Sequence, residues 1–236
     1  MKPADTAERL RDAAFDLFSA QGFDATTVEE IAQRADVGRT TFFRHFRAKE
    51  DVVFPDHPGL AAAVARRLEA SRGEEPVRAV TEAALVVLDS YVAEGERARA
   101  RYRLVTSVEA LRARELASIQ PYQRAFGSYL RGVLPDGPHG HLYADVVAAA
   151  VIAAHNSVLR RWLREECDEP RSELRDVLVE VFDRWATQVG PGGSSPARSS
   201  GSTVVVLDSA LPPTDVARAV ADALAERTRL TSEEQA

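Results

Sequence analysis

A single cysteine, Cys167, stands among the 236 residues, so no disulfide can form within the chain. A lone thiol suits a reducing cytoplasm. With only Arg164 as a cation nearby in sequence, it is poorly placed to act as a redox switch. Long apolar runs are also lacking: none approaches the ~20 uninterrupted residues of a membrane-spanning helix. Acids arrive by Asp5 and Glu8, unlike the start of a secretory signal peptide. Gly-x-Ser-x-Gly, His-Glu-x-x-His, Cys-x-x-Cys and Gly-rich phosphate loops are all missing. The histidines at 45, 57, 139, 141 and 155 are scattered, and the neighbours His139 and His141 lie in a Gly/Pro-rich loop that suits a metal poorly. The expectation is a cytoplasmic protein that is not an enzyme, with no catalytic site, metal or cofactor.

What is present is apolar content at helical spacing. Hydrophobic residues make up 45% of the chain, enough for a substantial core, and the net charge is −6. Against that acidic background one stretch is basic. From Gln33 to Lys49 the chain carries Arg34, Arg39, Arg44, His45, Arg47 and Lys49 with Asp36 as its one acid. A local positive face on an acidic molecule points to a polyanionic partner.

The same stretch reads as two short helices and a turn. Thr27 and Glu30 have the spacing of a capping box, in which hydroxyl and carboxylate each satisfy a backbone N–H of the other residue. Val28, Ile31, Ala32 and Ala35 recur on one helical face. Asp36-Val37-Gly38 breaks the pattern, with Gly38 the residue expected to take the turn conformation. A second helix from about Arg39 to Phe46 sets Phe42 and Phe46 on one side and leaves Arg39, Thr40, Arg44 and His45 for the others. That is a helix-turn-helix, whose second helix fits the major groove of duplex DNA. Residues 5–21 supply a supporting helix ended by Gly22, with Leu10, Ala14, Leu17 and Phe18 on one face. Phe15, Phe23, Ile31, Val37 and Phe42 should complete a small three-helix core.

At these residues the chain resembles the TetR family of bacterial repressors. The run IAQRADVGRTTFFRHFRAKEDVV carries Phe43-Arg44-His45-Phe46 and Lys49 where that family has an aromatic–x–His–Phe and a Lys. The likeness covers roughly residues 6–54 and fades beyond. It implies an all-α, dimeric, ligand-responsive repressor. It places phosphate contacts at Thr27, His45 and Lys49; base-reading is expected at Arg39, Thr40 and Thr41 because they stand at the leading end of the recognition helix, with Arg44 as a further DNA-binding candidate. Phe43 departs from the family, which usually has a Tyr there whose hydroxyl donates to a phosphate; Phe43 has nothing to donate.

Beyond the head, Pro55 and Pro58 should interrupt a helix that resumes near Gly59, either as a surface kink or as a hinge. From Pro76 the chain reads as helical almost to Val189, broken at residues 135–140. Arg97, Arg99, Arg101, Arg103, Arg112 and Arg114 form either a salt-bridged solvated face or, in part, a holder for an anionic ligand group. Tyr91, Tyr102, Arg103, Phe126, Tyr129, His155 and Asn156 are the ligand-binding candidates, with a satisfied polar pair in the core as the plainer account of His155 and Asn156. Val147, Val151, Ala154, Val158 and Trp162, and then Leu174, Val177, Leu178, Val181, Phe182 and Trp185, mark two strongly apolar helices. The resemblance gives such a pair the role of bundling with the partner subunit.

The expected domains are therefore a helix-turn-helix head at 1–54 and a ligand-binding and dimerisation body at 55–189. A flexible linker at 190–202 then leads to a strand–helix extension at 203–230. The strand, at 203–207, has no second strand in its own chain to pair with. The expected partners are an operator in double-stranded DNA, a small-molecule effector and a second copy of the chain. The competing reading is a small-molecule receptor or carrier that keeps the head without sequence-specific DNA binding.

Overall fold

The computed structural model describes residues 3–134 and 140–188. His139 and the expected linker, strand and C-terminal helix lie outside the described residues. The described chain is all-α and divides into two compact units. The first joins Met1–His57 to Glu94–Ile119; the second holds Pro58–Ala93 and the chain from Gln120 onward.

In the first unit α1 spans Pro3–Gln21 and buries Leu10, Ala14 and Phe18. Gly22, at φ +85, ends it and donates to the Phe18 carbonyl at 3.0 Å. Helix α2, Val28–Arg34, opens on the expected capping box, and α3 covers Arg39–His45. Each has seven residues, too few to persist in water alone, so both depend on what they bury. Phe42 and Phe46 pack with their rings 5.5 Å apart in a core shared with Leu10, Phe18, Phe23 and Ile31. Phe15 and Val37 lie partly buried against it, as their spacing implied.

The turn between α2 and α3 differs from expectation. Asp36, not Gly38, takes the left-handed conformation, at φ 53; Gly38 is extended at φ −79, ψ 155 and caps α3. Asp enters that region more readily than most residues because its short polar side chain can bond locally. The turn is also held from outside, since the Arg9 guanidinium on α1 donates to the Ala35 and Asp36 carbonyls. Both constraints are tertiary or side-chain effects that leave Gly38 no special backbone role.

A 3₁₀ turn at Lys49–Val52 follows, and Val52 and Val53 join the same core. Its remaining cover comes from far along the chain. Helix α6, Glu96–Ser107, and α7, Glu109–Ala117, contribute Val105 and Leu111, both buried. Two polar ties fix them. Arg97 reaches Glu8 at 2.6 Å and Asp12 at 2.8 Å on α1. Buried Arg101 donates through Nε to the Val53 carbonyl at 2.7 Å and pairs with Glu94.

The second unit contains most of α4 (His57–Ala70) and α5 (Pro76–Glu94), with α8 (Gln120–Val133), α9 (Gly140–Leu163) and α10 (Pro170–Gln188). Helix α4 begins two residues before the expected Gly59 and tolerates Pro58 in its first turn, where a missing N–H forfeits no helical bond. The expected near-continuous helix after Pro76 is interrupted more often than periodicity suggested. It breaks at Gly95 (φ 56) and again at Val108, which is extended. Two further breaks precede α8 and α10, the second holding Glu165 at φ 62. Helix α9 packs on both α8 and α10. By length and composition it could cross a bilayer. Here Val147, Val151, Ala154, Val158 and Trp162 are buried inside the unit, which accounts for much of that apolar content.

Candidate nucleic-acid interface

Helix α3 is built to present one face. Phe42 and Phe46 anchor it inward, so Arg39, Thr40, Phe43 and Arg44 are left exposed and Thr41 half-exposed. The three residues expected to read bases therefore share the leading end of one helix. An open groove beside them is lined by Glu29, Ala32, Gln33, Asp36, Val37, Gly38 and Arg39. The Arg39 Nε lies 2.9 Å from the Glu29 carboxylate, and its guanidinium sits 5.3 Å from the centre of the Phe43 ring.

Cation pairing separates the basic residues of the first unit. Arg34 is bound to Asp16 at 2.8 Å, Arg9 to the α2–α3 turn and Arg97 to α1. Arg114 pairs with Asp51. Arg44 and Arg47, both exposed, have no acid or carbonyl partner for their guanidinium groups among the described residues. Unpaired exposed cations beside a helix that fits the major groove suit phosphate oxygens. Arg47 was visible in the sequence only as one member of the basic run; its lack of a partner sets it apart.

The three expected phosphate contacts behave differently. The Thr27 hydroxyl accepts from the Glu30 N–H at 3.2 Å and donates to the Glu30 carboxylate at 2.8 Å, which also accepts the Thr27 N–H at 2.8 Å. These bonds hold the Glu30 carboxyl below the usual range, the Thr27 backbone N–H first, so a negative charge already occupies this helix start. Lys49 donates to the Phe23 carbonyl at 2.7 Å and the Thr26 carbonyl at 2.9 Å, leaving one of its three protons. His45 is half-buried, and its Nε2 is shielded without a partner among the described residues.

The ligand candidates fall into two groups. Tyr102 and Arg103 belong to the first unit, where Arg103 is 64% exposed and paired with Glu96 at 2.7 Å. The Arg run as a whole is engaged within that unit. Arg99 lies 3.8 Å from Glu96, and Arg112 donates to the Thr106 carbonyl at 2.5 Å. Tyr91, Phe126, Tyr129, His155 and Asn156 belong to the second unit, with Tyr91, Phe126 and His155 buried. Burial pushes His155 down to about 4, so its imidazole is neutral; Nδ1 lies 3.3 Å from the Asn156 side-chain amide oxygen, Oδ1, and Nε2 has no partner among the described residues. Cys167 is pushed up to about 11 by desolvation and then by Glu173, which keeps the thiol protonated.

A three-helix head whose third helix is exposed along its leading face, with unpaired arginines beside it, defines a helix-turn-helix DNA-binding protein. The family model described as bacterial regulatory proteins, tetR family, matches residues 10–54, and that of the MftR C-terminal domain matches residues 74–190. The chain belongs to the TetR family of bacterial transcriptional regulators. It is 40% identical over 92 residues to the HTH-type transcriptional regulator TcmR of Streptomyces glaucescens, a match covering 39% of this chain and 40% of that protein. It is 24% identical over 179 residues to MftR of Mycobacterium tuberculosis, a candidate mycofactocin biosynthesis regulator, covering 75% of this chain and 88% of that one. A solved TetR-family regulator from Syntrophomonas wolfei shares the fold at a TM-score of 0.59 and 17% identity, over 80% of this chain and 98% of its own. The chain is accordingly a regulator of transcription rather than an enzyme, and it works in the cytoplasm, where bacterial DNA is.

Proposed function

We infer that this regulator binds a palindromic operator as a homodimer, represses transcription there, and is released by a small molecule. The observation that carries the DNA reading is the contrast in pairing: Arg44 and Arg47 alone lack partners among the described arginines and lysines of the first unit, Arg44 in the last turn of the exposed helix α3 and Arg47 just beyond it. Arg39, Thr40 and Thr41 take the base edges. Arg44 and Arg47 take phosphates, and His45, whose Nε2 is shielded, has only its Nδ1 edge to offer one. Thr27 and Lys49 serve mainly by holding α2 and the 3₁₀ turn in place, with the remaining Lys49 proton available to a phosphate.

The apolar pair α9 and α10 is the proposed dimer face. Val179 on α10 is 48% exposed although Leu174 and Leu178 of the same helix are fully buried, so α10 offers an aliphatic side chain on its outer face. The effector belongs in the second unit. Its buried polar residues, Ser71, Thr81 and His155, are all neutral, and the Arg run lies in the other unit. An uncharged, largely apolar molecule fits those surroundings better than an anion, because an unpaired buried carboxylate is costly.

Selection of bound DNA from a random pool tests the reading. A two-fold-symmetric sequence should emerge and bind with strong salt dependence. A protein that enriches no sequence would instead be a receptor or carrier that merely keeps the head.

A further inference from the structure

Phe43 is one of few large apolar side chains left in solvent, 44% exposed, on the face of α3 that carries Arg39 and Arg44. Its exposure is not forced by the core, because Phe42 and Phe46 already fill the inward positions. The ring is held in place: it stands edge-on to Phe42, with centroids 5.4 Å apart and planes at 82°. The Arg39 guanidinium lies 5.3 Å from the centre of the Phe43 ring. The Glu29 carboxylate takes the Nε edge of the same guanidinium at 2.9 Å. That leaves the two terminal nitrogens of Arg39 without a partner among the described residues, on a side chain that is 65% exposed.

We propose that Glu29, Arg39 and Phe43 act as one reader of a guanine with an adjacent thymine. The proposal rests on the DNA-binding reading above and sharpens it. Two terminal guanidinium nitrogens match O6 and N7 of guanine, and an aromatic ring is a suitable neighbour for the thymine C5-methyl group. The guanidinium carbon and the ring centre are 5.3 Å apart, more than the about 3.4 Å rise between successive bases on a strand, so the two groups address neighbouring bases rather than the same one. Glu29 and Phe43 fix the guanidinium before DNA arrives, so less rotamer freedom is lost on binding. Glu29 is thus a positioning residue, and Phe43 a specificity-determining one.

The test uses full-length protein and the operator selected by the wild type. Each thymine next to the Arg39-dependent guanine is replaced by deoxyuridine, which removes only the methyl group. Wild-type affinity should fall on the order of fivefold per half-site at one such position. The Phe43→Ala protein should bind the thymine and deoxyuridine operators equally. Phe43→Leu should keep the methyl preference while loosening the guanine preference, since the stacking surface under Arg39 is gone. Wild-type indifference to every substitution overturns the proposal while leaving the DNA reading intact, and so does a methyl preference that survives Phe43→Ala. Failure to select any operator overturns both.

Discussion

The Lys49 ammonium lies 2.7 Å from the Phe23 carbonyl oxygen and 4.3 Å from the centre of the same residue's ring. With the Thr26 carbonyl at 2.9 Å, it ties the 3₁₀ turn to the loop between α1 and α2. Charge-assisted bonds of this kind each contribute about 1.5–3 kcal/mol. Lys49→Ala should therefore lower the denaturant midpoint of the protein, with a loss of about 2 kcal/mol. Midpoints that coincide for wild type and variant would mean these bonds contribute nothing. The salt dependence of DNA binding reports the remaining proton separately: a slope lower by about one per subunit would add Lys49 to the phosphate-binding residues.

Arg44→Ala and Arg47→Ala should each weaken binding to every DNA sequence by a similar factor. The slope of log affinity against log salt should fall by about 0.9 for each phosphate left without its cation. Folding stability should be unchanged, because neither guanidinium holds a partner within the described residues. A weakening confined to one sequence would reassign that residue to base reading.

Arg39→Ala should cost about 1–3 kcal/mol of discrimination at one position in each half-site. Glu29→Gln should act in the opposite sense on affinity. Removing a carboxylate 2.9 Å from Arg39 takes away its repulsion of phosphates, so binding to mismatched sequences tightens, while the lost positioning of the guanidinium shrinks the preference for the correct guanine. Measuring matched and mismatched operators side by side separates the two effects; a Glu29→Gln protein with unchanged preference would remove the positioning role.

Arg101 is 3% exposed and joins Val53 to Glu94. Replacing it by Met keeps the stem but orphans the Val53 carbonyl and leaves Glu94 without its partner. Breaking one side of a fully buried pair costs about 3–5 kcal/mol, and Glu94, a quarter exposed, can recover some of that from water, so the loss here should fall below that range. Thermal unfolding of Arg101→Met should begin well below that of wild type. A melting temperature indistinguishable from that of wild type would show that water replaces the guanidinium at no cost.

Acid should weaken both units. Desolvation first, then Arg101, holds His57 at about 4; desolvation holds His155 at about 4. Both folded values lie below the ordinary histidine value of about 6.5, so the unfolded chain binds more protons between those limits. Stability contributed by the neutral imidazoles is whole above about pH 6.5 and falls as the pH drops towards 4, by up to about 3 kcal/mol for each group. Equilibrium unfolding of His155→Leu should depend less on pH across this window. An identical pH profile would place the titration elsewhere.

Features encoded by neighbouring residues were legible in the sequence. The Thr27–Glu30 box, the stop at Gly22 and the start at Pro76 each follow from chemistry within four positions. The alternation of Phe42 and Phe46 also located the recognition helix and its outward residues, though not which cations stay unpaired. That depends on acids such as Asp16, Asp51 and Glu8, brought close only by folding. The same limit explains the Arg run. Helical spacing shows that Arg97 and Arg103 lie on faces of α6, but not that one meets α1 and the other solvent. The left-handed Asp36 is not legible because Gly38 carries the stronger intrinsic preference, and the bonds from Arg9 are 26 and 27 residues away in sequence.

The cover that Val105 and Leu111 place on the core of α1, α2 and α3 bears on modularity. A DNA-reading segment cut after His57 would carry its helix-turn-helix intact in sequence yet lack part of its hydrophobic lid and the ties from Arg97 and Arg101. Such a piece is no cassette to be grafted onto another sensor. A chimera that changes operator preference must bring residues 94–119 with it, or match their surface in the recipient. A crossover near residue 57 likewise separates two stretches that share one hydrophobic core, so the recombinant must supply a matching surface for Val105 and Leu111.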